Sequence, residues 1–168
     1  MIIPIEDRTA LNSLFDLESF KNTKDYRKNK WFIHKDWNTL VVDYFALDDE
    51  NVETRQLFSL FDDGLKLTSM PFNAADLEGK SFESGEDFLN EMEADGTFRE
   101  LEFYSWTVYN HTLDIVLIFE ADDEAFYLGY HKSREALVQE HIIKNGLVLS
   151  YEDYQKHIVY LENLFGEE

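Results

Sequence analysis

The order of residues predicts an α+β fold, in which a central antiparallel meander carries packed helices and further helices lie N-terminal and C-terminal to it. Three observations lead there. From Arg99 onward, apolar residues recur at every second position, the period of a strand. On either side of that stretch they recur at steps of three and four, behind Ser, Asp and Glu suited to helix starts. No linker, repeat or low-complexity tract interrupts the 168 residues, and the two prolines and seven glycines are spaced as punctuation. Residues 1–168 are therefore read as a single domain.

Taken in order, Thr9 to Tyr26 places Leu11, Leu14, Phe15 and Leu17 at near-helical spacing and predicts one or two short helices. Lys21 to Lys30 is a polar, basic connection. Trp31-Phe32-Ile33 and Thr39 to Ala46 are rich in aromatic and β-branched residues and are expected as strands. Asp48, Asp49 and Glu50 then put negative charge where it favours a helix N-terminus. The helix they introduce, Val52 to Asp63, would bury Leu57, Phe58, Leu60 and Phe61 and stop at Gly64, a residue suited to a left-handed cap. Leu65 to Phe72 reads as a strand broken at Pro71. Ser84 is placed to cap a helix with Glu86 and Asp87 in its first turn, Phe88, Leu89 and Met92 on its apolar side, and Gly96 as its end.

The meander itself is expected from Glu100 to Tyr109, from Thr112 to Phe119 and from Ala125 to Tyr130, joined at Asn110-His111 and at Ala121 to Glu124. In the middle strand Leu113, Ile115, Leu117 and Phe119 alternate with Thr112, Asp114, Val116 and Ile118, so one face is apolar and the other partly so. Ser133 is placed to cap a helix running to Lys144, with Leu137, His141 and Ile142 on one side and Asn145-Gly146 as its stop. Ser150 caps the last helix, whose stripe of Tyr151, Tyr154, Ile158, Leu161 and Phe165 is expected to pack on the sheet.

A domain of ~150 residues buries roughly 68–70% of its unfolded surface, so this length supports a core without a metal or disulfide. Cysteine is absent, which excludes thiolate chemistry and fits a reducing compartment. Glu6, Asp7 and Arg8 interrupt the apolar start, and no run of ~18 apolar residues occurs, so neither a signal peptide nor a membrane span is expected. The protein is read as cytoplasmic, where the sequon Asn110-His111-Thr112 has no glycosylation meaning.

Charge is the most unusual property. Thirty-five Asp and Glu face 15 Lys and Arg, a formal net charge of −20. Residues 1–40 hold seven basic and six acidic side chains, which leaves eight basic and 29 acidic in the remainder. Such a surface repels nucleic acid and anionic membrane, since binding either relies on Lys and Arg. Solubility asks for a magnitude of only about 2–8 on a small domain. The excess either serves solubility or is retained for an attractive, basic partner.

Motifs for catalysis are missing. Among His34, His111, His131, His141 and His157 there is no His-Glu-x-x-His pair, and Asp122-Asp123-Glu124 lacks the alternation and glycine of a calcium loop. No Gly-x-Ser-x-Gly elbow and no Gly-x-Gly phosphate loop occurs. No enzymatic activity, metal or cofactor is expected. His111 beside Asp114 reads as a solvated turn residue and His141 as a hydrogen-bonded residue at the core edge. His131 stands at a strand end beside Tyr130, where a pocket would place polar groups.

What remains is a set of carboxylates interleaved with aromatics. Glu83, Glu86, Asp87, Glu91, Glu93 and Asp95 surround one helix, and Glu100, Glu102, Glu120, Asp122, Asp123 and Glu124 edge the meander. Trp106 and Tyr109 stand between them as candidate anchors, because aromatic anchors within an acidic rim suit a basic protein. The competing reading has the meander aromatics filling both faces of a helix-covered sheet. In size, charge and element pattern the chain resembles the immunity proteins of contact-dependent inhibition and other polymorphic toxin systems. That resemblance implies an acidic inhibitor of a basic partner, most simply a toxin nuclease domain, bound through the acids named above and through Trp106 and Tyr109. Two other functions fit the same composition: a nucleic-acid mimic that inhibits a defence protein, and a small-molecule binder with a pocket between the sheet and the final helices.

Overall fold

The computed structural model describes residues 9–11, 13, 36–43, 50–69, 80–94, 96, 105–121 and 124–165. Among the described residues six strands form one sheet: β1 Trp37–Val42, β2 Leu65–Ser69, β3 Lys80–Phe82, β4 Trp106–Asn110, β5 Ile115–Glu120 and β6 Ala125–His131. Among the described residues, α1 Val52–Phe58, α2 Gly85–Ala94, α3 Glu135–Val138 and α4 Tyr151–Phe165 are helices, and residues 9–11 and 13 are helical as well. The sheet runs β1-β6-β5-β4-β2-β3 and is antiparallel throughout, an α+β architecture with the expected meander β4-β5-β6 at its centre.

Alternation sorts the strand side chains onto two buried faces. Trp106, Val108, Ile115, Leu117, Phe119, Phe126, Leu128 and Tyr130 point to one, where Leu57, Phe58 and Phe61 from the α1 segment and Phe88, Leu89 and Met92 from α2 meet them. Trp106 sits among four phenylalanines, 6.5 Å from Phe58, 6.4 Å from Phe88, 5.6 Å from Phe119 and 6.3 Å from Phe126 between ring centroids. Tyr109, Val116, Ile118, Ala125 and Tyr127 point to the other face, against Leu11 and Tyr154 of α4. There the Tyr127 and Tyr154 hydroxyls hydrogen-bond at 3.0 Å.

This double covering corrects one expectation. Trp106 and Tyr109 are 0% and 1% exposed, so neither is presented as an anchor to a partner. β4 is an interior strand with helices over one face and α4 over the other, and consecutive side chains are therefore buried whichever way they point. The reading in which aromatics fill both faces is the one the fold adopts.

Local differences have local causes. β1 begins at Trp37, two residues earlier than its β-branched run predicts, because β6 pairs Trp37 with His131. The helix from Val52 ends at Phe58 and tightens into a 3-10 turn at Ser59–Phe61 before Gly64, whose φ of +109° only glycine adopts readily. After β6 the cap expected from Ser133 is supplied by His131: its Nδ1 accepts from the Ser133 amide at 3.1 Å and opens a 3-10 turn, Lys132–Arg134. The helix predicted beyond it has four α residues and then widens into a π turn at Gln139–Ile143. The expected strand at Trp31-Phe32-Ile33, the basic stretch Lys21 to Lys30 and the start of the Glu100 to Tyr109 strand lie outside the described residues.

The edge at β1 is guarded. The chain leaving the π turn runs back along it, with the Asp43 amide donating to the Leu147 carbonyl at 2.7 Å and the Leu149 amide donating to the Val41 carbonyl at 2.9 Å. Unpaired edge groups invite association with other chains, and these bonds remove part of that liability.

Candidate functional site: an acidic groove between two helices

α1 and α2 lie side by side on one face of the sheet. Asn51 starts α1, its Oδ1 accepting from the Glu53 and Thr54 amides at 2.9 and 3.2 Å. Ser84 starts α2, its Oγ accepting from the Asp87 amide at 3.0 Å. With Glu53, Glu86 and Asp87 in these first turns, negative charge lies where the helix dipole favours it. Each helix buries its apolar stripe, so its remaining positions are turned outward and carry the acids.

Their approach is set by Gly85. A Cβ there would stand 2.0 Å from the Phe58 carbonyl oxygen, so only glycine lets the start of α2 rest on the end of α1. Three residues on, Phe88 stacks on Phe58 with ring centroids 4.9 Å apart. Above this contact the two helices leave an open groove of about 590 Å³, lined by Glu50, Arg55, Ser59 and Asp62 from the α1 segment and by Glu86, Leu89 and Asn90 from α2. The floor is aliphatic at Leu89. Three carboxylates and one guanidinium stand around it, the Arg55 Nη2 donating to the Glu50 carbonyl at 3.3 Å.

The charge around the groove is one-sided. Residues 50–63 and 80–94 contain nine acids, Glu50, Glu53, Asp62, Asp63, Glu83, Glu86, Asp87, Glu91 and Glu93, against two bases, Arg55 and Lys80. All nine acids are exposed. Five of them, Glu83, Glu86, Asp87, Glu91 and Glu93, belong to the set the sequence singles out. Glu50, Asp62, Arg55, Ser59 and Asn90 do not, although spacing contains the signal: Arg55, Ser59 and Asp62 are four and three residues apart, as Glu86, Leu89 and Asn90 are three and one.

The other predicted acids are placed differently. Glu120 and Glu124 flank the β5–β6 turn and are half-buried; the Glu120 carboxylate accepts from Ser105 Oγ at 2.8 Å. Asp95, Glu100, Glu102, Asp122 and Asp123 lie outside the described residues.

Ser59 also touches a histidine. Its Oγ lies 2.6 Å from the Gln56 carbonyl and 2.7 Å from His141 Nδ1. The Ser59 hydroxyl donates to the Gln56 carbonyl, and the direction of its bond with His141 follows the imidazole tautomer. The contact joins the π turn to the 3-10 turn that follows α1, in line with the reading of His141 as a hydrogen-bonded residue at the core edge.

A second polar cluster lies at the far end of the meander. Asn110 is buried, its Oδ1 accepting from the Asp114 and Ile115 amides at 2.9 and 3.0 Å and its Nδ2 donating to Thr112 Oγ1 at 3.1 Å and to the Asp114 carboxylate. Arg134 Nε completes the arrangement 3.1 Å from Asp114 Oδ2. Burial by itself would raise the Asp114 pKa, but the Asn110 hydrogen bond and the adjoining guanidinium outweigh it and hold the carboxyl below its ordinary value. Nearby, burial and then the hydrogen-bonded Glu135 carboxylate push the Tyr130 phenol up to about 12. Glu135 also accepts from Gln139 at 3.2 Å and Asn38 at 3.4 Å, tying α3 to β1 and β6. These groups satisfy one another. His131 is committed to its cap, and the ring of His111 lies against Gly64 rather than on Asp114.

Among the described residues, no three His, Asp or Glu side chains are grouped to hold a metal ion, and no helix is long and apolar enough to cross a membrane. Compared with protein-family models, curated proteins and solved structures, the chain matches none.

Proposed function

We propose that the protein is a non-enzymatic, cytoplasmic inhibitor that neutralises a basic partner, most simply the nuclease domain of an antibacterial toxin, by laying the α1–α2 layer against its cationic surface. The observation that carries this reading is the concentration of nine exposed carboxylates and only two bases on the segments bordering the groove. A nuclease binds phosphates through Lys and Arg, and a concentrated anionic face steers such a surface into contact at up to ~10⁸–10⁹ M⁻¹s⁻¹ at low salt. The groove gives that face relief: a long basic side chain would lay its methylenes on Leu89 and its charge among Glu50, Asp62 and Glu86.

The test is binding to the toxin domain encoded beside the gene, measured by stopped-flow at 20 and 300 mM NaCl. Charge reversal of Glu86, Asp87 and Glu91 to Lys, in a variant verified as folded by circular dichroism, is expected to slow association at least tenfold at 20 mM salt and by much less at 300 mM. A neighbouring toxin that does not bind, or one whose association ignores the reversal at low salt, overturns the proposal.

A further inference from the structure

We draw no further inference here: the strongest candidate, the outward face of α4 on which Val159, Tyr160 and Leu164 are exposed, is an apolar patch without a partner among the described residues, and nothing in the structure shows what covers it.

Discussion

Replacing Gly85 with Ala sets two physical effects against each other. Gly85 is the first residue of α2, and in an open helix alanine is favoured over glycine by roughly 0.8–1.0 kcal/mol. Here the added methyl would meet the Phe58 carbonyl oxygen at 2.0 Å, the carbonyl carbon at 2.9 Å and the Phe58 Cβ at 3.3 Å. The first of these is backbone of the neighbouring helix segment and has no rotamer to escape through. α2 must move away, loosening the Phe58–Phe88 stack and the packing of both rings on Trp106. Overpacking of this kind costs typically ~1–3 kcal/mol, and a rigid obstacle puts the expectation at the upper end, so the clash outweighs the propensity gain. For 150–250 residues each kcal/mol lowers Tm by about 2–4 °C, which predicts a net loss of roughly 4–8 °C, read by circular dichroism alongside urea unfolding. The groove that Gly85 sets would widen as well, so binding of the cationic partner should weaken in the same variant. An alanine variant as stable as the parent, or more so, would refute the close approach of the two helices and with it the shape assigned to the site.

Three further outcomes follow from the structure. Glu124 holds φ at 46° in the β5–β6 turn, a conformation costly for most L-residues, so Glu124→Asn should raise stability by about 0.5–1 kcal/mol in urea titrations; a loss would show that the Glu124 side chain matters more than its backbone. Because the Asp114 carboxyl is depressed in the folded protein, its contribution is present above the ordinary carboxylate pKa and is lost as pH falls through the lower folded value. Asp114→Asn should therefore be less stable than the parent at pH 7, with the gap closing on acidification below about pH 4; a constant gap would remove ionisation from the account. Tyr130 has the opposite sign: its raised pKa contributes fully below about 10 and is lost as pH climbs toward about 12. Tyr130→Phe should flatten the alkaline limb of the stability profile, and an unchanged limb counts against a phenol held protonated beside Glu135.

The sequence by itself determined most of the kinds of element, though not β3, and several of their ends, because the signals are local. Ser84 and Ser150 bond amides three positions away, and Gly64 and Gly96 stop helices through their own backbone angles. The excess of carboxylates around α2 was equally plain, since the outward positions of a half-buried helix carry its polar residues. What only the tertiary structure decided is which groups share a surface. Period-two alternation in β4 says that two faces exist, but the burial of both Trp106 and Tyr109 depends on β2 and β5 flanking that strand and on α1, α2 and α4 covering it, contacts between residues far apart in the chain. The groove has the same origin. Glu50 and Asp62 meet Glu86 across a gap whose width comes from one hydrogen-sized side chain at Gly85 resting on Phe58, 27 positions earlier. His131 took the cap expected of Ser133 because an imidazole at the strand end reaches the Ser133 amide, and no spacing rule ranks those two side chains. Local chemistry reaches only as far as a few bonds along the backbone, whereas burial and charge at a surface are set by whatever the fold brings alongside.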